Sequence, residues 1–213
     1  MQFRMDVVIV DFGAGNLNSI KRSFLQLGVN VIHSSDKTVI ENADALVMPG
    51  VGHFEVAMNF LAVNHIDSAL NFAVHEKKTP VLGICLGMQL MTNYSEEGGV
   101  NGLGWINAIT KKIIPKRNEI YKVPNIGWCL VNKGVSSKLL KGIDCDRDPF
   151  YFCHSYAIQD VDKGSVNTSS FNYDDEYVCI FECNNIYGVQ FHPEKSHVAG
   201  VNLLSNFLAI VSE

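Results

Sequence analysis

The stretch Pro80-Val81-Leu82-Gly83-Ile84-Cys85-Leu86-Gly87-Met88-Gln89 decides the fold. Residues 80–84 form a short apolar run of the kind a doubly buried strand shows, and a helix from 86 to about 94 follows without a spacer. Upstream the same alternation repeats. Residues 6–11 (DVVIVD) are a β-branched strand that breaks at Gly13 and Gly15; Leu17, Ile20, Phe24 and Leu27 then recur at helical spacing up to Gly28. Strands follow at 29–33 and 43–48, the second stopped by Pro49-Gly50, and helical segments at 54–60 and 66–74. Strand and helix in alternation imply parallel pairing through right-handed crossovers. The fold class is therefore α/β, a doubly wound, mostly parallel sheet flanked by helices.

Downstream the character changes. From about 105 to 190 the chain offers short β-rich runs at 108–114, 128–131, 150–158, 177–182 and 187–191, with turns at 172–175 and Asn184-Asn185. This pattern predicts antiparallel or mixed pairing in a β-rich second half. A closing amphipathic helix places Val201, Leu204, Phe207, Leu208 and Val211 on one stripe. No repeat or linker divides the chain, so residues 1–213 are expected to form one domain.

Composition narrows the function classes. Of 213 residues, 47% are hydrophobic and 18% charged, and the mean hydropathy is +0.09, which suits a chain with a large buried core. Net charge is −5, and the absence of any long Lys/Arg run leaves no nucleic-acid footprint. The longest apolar runs are strand-sized, far below the ~20 residues of a membrane span. The N-terminus does not read as a signal peptide, since its apolar run at 7–10 is too short for an h-region. The six cysteines lack zinc spacing, so no metal or organic cofactor is expected, and a cytoplasmic location follows. Five of the six are expected to be small buried apolar residues.

Cys85 is the exception. It sits where a buried strand turns into a helix, and Gly83 and Gly87 flank it at −2 and +2. Such an elbow places the sulfur at a helix N-terminus, where the dipole favours thiolate and the next N–H, that of Leu86, can hold an oxyanion. A nucleophile needs a base and the base an orienter. His192 follows the predicted strand at 187–191, and Glu194, just past the stiff Pro193, lies close enough to fix its tautomer. His33, His65, His75 and His197 read as ordinary residues near element ends.

The loop Pro49-Gly50-Val51-Gly52-His53 follows another strand and can turn backbone N–H groups into the site, as an oxyanion donor or a carboxylate clamp. Gly13-Ala14-Gly15-Asn16 hints at a dinucleotide loop, but Asn18 stands where its third glycine belongs.

Taken in order, Pro49-Gly50-Val51-Gly52, Gly83 through Gln89 and His192-Pro193-Glu194 resemble the class I (triad) glutamine amidotransferases. Within them the likeness is greatest to the glutaminase subunits of imidazole glycerol phosphate synthase. Residues 11–16, 95–98, 127–128, 151–156 and 190–196 extend it over nearly the whole chain.

The resemblance implies that Cys85 attacks the glutamine amide, and that Gly50, Val51, Gly52 and Leu86 hold the oxyanion. It implies His192 and Glu194 as the rest of the triad, with Gln89, Glu97, His154, Ser155 and Tyr156 holding the amino-acid end of glutamine. Asn16, Trp128 and Lys195 would face the partner. That partner is a (β/α)8-barrel cyclase subunit, in a heterodimer that channels ammonia and yields imidazole glycerol phosphate and an aminoimidazole carboxamide ribonucleotide.

The family's Pro-His-Met-Gly-Trp-Asn appears here as Pro124-Asn125-Ile126-Gly127-Trp128-Cys129, in a segment that lies toward the cyclase in the family. Two other readings stay open: a paralogous subunit feeding ammonia to another acceptor, such as an enzyme aminating a sugar, and an independent γ-glutamyl cysteine hydrolase.

Overall fold

The computed structural model describes residues 5–13, 17–162, 164 and 166–213. Its first half alternates as the sequence pattern predicts. Strand β1 (Asp6–Val10) leads to α1 (Leu17–Gln26), then β2 (Asn30–Ser34), α2 (Lys37–Glu41), β3 (Ala45–Gly50), α3 (Phe54–Val63) and α4 (Ile66–Asn71). A π-turn over Phe72–Glu76 precedes β4 (Val81–Cys85), which runs directly into α5 (Leu86–Leu90). The order β2-β1-β3-β4 is parallel throughout.

Alternating side chains bury both faces of this sheet. Val7, Ile9, Val47, Leu82 and Ile84 pack with Ile20 and Phe24 of α1. Val8, Val10, Leu46, Met48 and Val81 pack with Phe54, Leu61, Ile66 and Leu70 of α3 and α4.

The second half comprises β5 (Thr92–Ser95), β6 (Val100–Asn101), β7 (Ile106–Lys112), β8 (Asn125–Cys129), β9 (Phe150–His154) and β10 (Tyr156–Gln159). It continues with β11 (Asn167–Tyr173), β12 (Asp175–Cys183), β13 (Ile186–Val189), a 3-10 turn (Pro193–Lys195) and α6 (His197–Val211). The sheet extends as β4-β13-β12-β10-β7-β5-β6, with β11 on β12; β8 and β9 form a separate antiparallel pair. Strand β13 returns parallel to β4, with Val189 opposite Ile84 and, on the other side, Gly50 opposite Cys85. Three chain segments thus reach the same edge side by side. No helix among the described residues is long and apolar enough to cross a membrane.

Several expectations are corrected. The helix expected to reach about 94 stops at Leu90, because Thr92 enters β5 and its hydroxyl takes up the Gln89 carbonyl at 2.8 Å. Pro49 and Gly50 do not stop β3 but complete it. The run 150–158 is two strands, broken at Ser155, where the chain passes from the small sheet to the large one. Tyr173 ends β11 and Asp174 alone makes the turn, at φ 62°. Val201 lies outside the buried stripe of α6, which is built on Ala199, Gly200, Leu203, Leu204 and Phe207. Of the cysteines, only Cys85 and Cys179 are fully buried.

Candidate active site

Cys85 ends β4 with φ 52° and ψ −106°, a conformation costly for any residue with a side chain, and its thiol is buried. The neighbouring glycines make the turn possible. A Cβ on Gly83 would come within 2.7 Å of the Met88 nitrogen, and one on Gly87 would overlap the Met48 carbonyl. Strand β4, helix α5 and strand β3 therefore close on one another with backbone to backbone contact, and the sulfur is held at their junction.

His192 follows β13 and is 2% exposed. Its N–H donates to the Tyr151 carbonyl at 2.8 Å, while Ser196 donates its hydroxyl to the His192 carbonyl at 2.6 Å. These bonds fix the backbone, and Nδ1 meets Glu194 Oε1 at 2.8 Å. The other nitrogen, Nε2, is buried with no hydrogen-bond partner. Burial pulls the ring's pKa down, but Cys85 and Glu194 beside it outweigh that and push it up to about 10. The imidazole thus lies between a carboxylate on Nδ1 and the Cys85 sulfur, both of which favour its protonated form.

A cavity of about 210 Å³ opens onto Cys85. Val51, Gly52, Leu86, Gln89, Glu97, His154, Ser155 and Tyr156 line it with Pro124 and Cys153. Most of the residues expected to touch substrate are therefore brought to one pocket. Gly50 is not: it lines a smaller cavity of about 60 Å³ with His192, Glu194 and Lys195, and Val51 borders both. Gly52 has φ 144°, open only to glycine at low cost.

The pocket's polar groups are anchored from behind. Glu97 Oε2 accepts the Phe54 N–H at 2.9 Å. His154 Nδ1 lies 2.7 Å from the Tyr156 carbonyl, which can only accept, so Nδ1 carries the proton and Nε2 accepts from Asn125 at 3.3 Å. Burial holds the His154 pKa down to about 4, and the nearby His192 adds to this. Between about pH 4 and about pH 10, His154 is therefore neutral while His192 is charged.

The partner-facing expectations divide. Asn16 lies outside the described residues. Trp128 is 46% exposed and stacks on His197, with centroids 4.9 Å apart. Lys195 is exposed and reaches over the Tyr151 ring. On β8, Ile126 and Trp128 point outward, whereas Asn125 is buried against His154. The change at 125 therefore bears on the pocket's support rather than on the outer surface.

One residue escaped sequence reasoning. Gln190 is fully buried, and its amide nitrogen lies 3.6 Å from the Cys85 sulfur. Its only signal was its place two residues before His192, in a segment noted for its likeness alone.

The glutamine amidotransferase class-I family model matches residues 8–211. The imidazole glycerol phosphate synthase subunit HisH 2 of Methanococcus maripaludis is 42% identical over 202 residues, covering 95% of this chain and 98% of its own. The HisH subunit of Leptospira borgpetersenii is 40% identical over 206 residues, with the same coverages of 95% and 98%. Among solved structures, a glutamine amidotransferase from Thermotoga maritima superposes with a TM-score of 0.65 at 16% identity, over 100% of this chain and 100% of that one, which speaks for the fold alone. The chain belongs to the class-I glutamine amidotransferases, among the relatives of the HisH subunits of imidazole glycerol phosphate synthase.

Proposed function

We propose that the chain, as one domain over residues 1–213, hydrolyses glutamine at Cys85 and passes the ammonia to a cyclase subunit that makes imidazole glycerol phosphate. The observation that carries the reading is the pocket in which Cys85 shares walls with Gln89, Glu97 and His154. Its volume of about 210 Å³ suits one small amino acid.

The sulfur attacks the side-chain carboxamide carbon, and the carbonyl oxygen takes up the negative charge toward the Leu86 N–H and the 50–52 backbone. His192 Nε2 gives its proton to the amide nitrogen; the C–N bond breaks, ammonia leaves and a γ-glutamyl thioester remains. Nε2, now neutral, takes a proton from water as its oxygen attacks the thioester. The C–S bond breaks, glutamate leaves, and the thiolate–imidazolium pair is restored. Glu194 keeps the ring oriented through Nδ1.

Free ammonia in neutral water is protonated and loses its nucleophilicity, which is why delivery calls for a docked acceptor. The smaller cavity, sharing Val51 and touching His192, supports an exit on the Lys195 side. Trp128 and Ile126 offer exposed surface for the partner, while Asn125 turns inward, away from it. Six free cysteines fit a reducing compartment, and we place the reaction in the cytoplasm.

The test is glutamate release by the chain alone and mixed with the histidine-pathway cyclase carrying its ribonucleotide. Strong stimulation is the expected result. An unresponsive rate, with Cys85 still labelled by a glutamine-mimicking alkylator, would move the acceptor to another pathway. Full activity of the isolated chain would favour an independent hydrolase.

A further inference from the structure

We propose that Gln190 is a hydrogen-bond donor to the Cys85 sulfur, and that one chain of amide bonds both favours the thiolate and aims Gln89 at the substrate. The proposal rests on the reading of Cys85 as the nucleophile of glutamine hydrolysis. Register puts Gln190 in place: Val189 lies opposite Ile84, so the next residues of the two segments, Gln190 and Cys85, stand side by side.

The polarity of the chain of bonds follows from a single carbonyl. Gln89 Nε2 lies 2.9 Å from the Tyr156 carbonyl, which can only accept, so that end of the Gln89 amide is its nitrogen. The same nitrogen lies 3.0 Å from Gln190, which must therefore present its oxygen. The nitrogen of Gln190 is then left facing the sulfur, at 3.6 Å. Both N–H groups of Gln89 are spent in this way, and its oxygen is the part left to accept from the substrate.

Gln190 is 0% exposed and Gln89 4%, so water does not compete for these bonds. The Cys153 carbonyl also lies 4.0 Å from the sulfur, an acceptor that would hold a thiol proton. The amide donor stands closer and opposes it. Among titratable groups, His192 faces the sulfur with Glu194 behind it on Nδ1, and His154 and Glu97 share the sulfur's pocket. None of these supplies a neutral donor that stays in place at every pH. Gln190 does.

The test is the pH dependence of Cys85 alkylation by iodoacetamide, followed on the Cys85 peptide by mass spectrometry in the full chain. Gln190→Glu keeps the shape and an oxygen for Gln89 while removing the donor; Gln190→Leu removes both bonds. The alkylation midpoint is expected to rise by about one pH unit in either variant, with glutaminase kcat falling about tenfold. A melting temperature near that of the parent for Gln190→Glu separates this from a packing defect. An unmoved midpoint in a folded variant overturns the proposal, whatever the activity. Glutamate release unaffected by Cys85→Ala would instead overturn the underlying reading, and the alkylation profile would still report on Gln190.

Discussion

The carboxylate of Glu97 holds the backbone N–H of Phe54 at 2.9 Å, so a residue that lines the Cys85 cavity also fastens the first turn of α3. That helix begins directly after the Gly50–Gly52 loop. Glu97→Gln keeps an oxygen for Phe54 but loses the charge that would meet the substrate's ammonium group. We expect KM for glutamine to rise about tenfold or more with kcat nearly unchanged, since such binding is shared by ground and transition states. Glu97→Ala should add a loss of roughly 1 kcal/mol in stability from the freed helix terminus. Steady-state kinetics and denaturant melts check both; an unchanged KM in Glu97→Gln would count against the contact with substrate.

His154 gives a pH signature whose sign is set by its burial. The native ring takes up no proton until about pH 4, whereas the unfolded chain protonates near the ordinary value of 6.5. The stability owed to the neutral ring is therefore full above 6.5 and lost as pH falls through about 4. Relative to His154→Gln, the wild-type chain should lose on the order of 3 kcal/mol across that window. Urea melts at stepped pH measure it, and a flat difference would show that His154 titrates freely.

Gly87→Ala should be among the most damaging single changes in the chain. The added methyl would overlap the Met48 carbonyl, and strand backbone cannot step aside as a side chain can. A loss of about 3 kcal/mol or more is expected, together with loss of glutaminase activity as the elbow shifts. A thermal melt and a glutaminase assay suffice. Near-normal behaviour would mean that the close approach of β3 and α5 is not needed to hold Cys85.

Trp128 is the outward aromatic on β8, stacked on His197 and 46% exposed. Large aromatics of this kind dominate interface energies. Trp128→Ala should raise the cyclase concentration needed for half-maximal stimulation by about tenfold or more. A titration of glutamate release against cyclase decides it, and an unchanged half-point would place the partner elsewhere.

How much of this was legible in the sequence depends on whether burial or long-range register sets each feature. The elbow at Cys85 was readable because tight turns leave glycines at fixed offsets, and the parallel half was readable because doubly buried strands are continuously apolar. The short length of α5 was not, since Leu90 and Met91 are apolar whether the chain coils or extends. Strand β11 went unseen because Asn167-Thr168-Ser169-Ser170 is polar and carries no alternating pattern. The break at Ser155 hid within a run of aromatic and apolar residues on both sides. Gln190 and Asn125 acquire their roles from strand register and burial, about which an isolated amide in the sequence says nothing.

The central claim is that Cys85 is the nucleophile for glutamine hydrolysis, and one comparison tests it directly. Glutamate release should be measured for the wild-type chain and for Cys85→Ala, each mixed with the cyclase and its ribonucleotide. A fall of about a thousandfold or more is expected, because a water in place of the thiolate cannot form the covalent intermediate. A Cys85→Ala rate within about tenfold of wild type would contradict it.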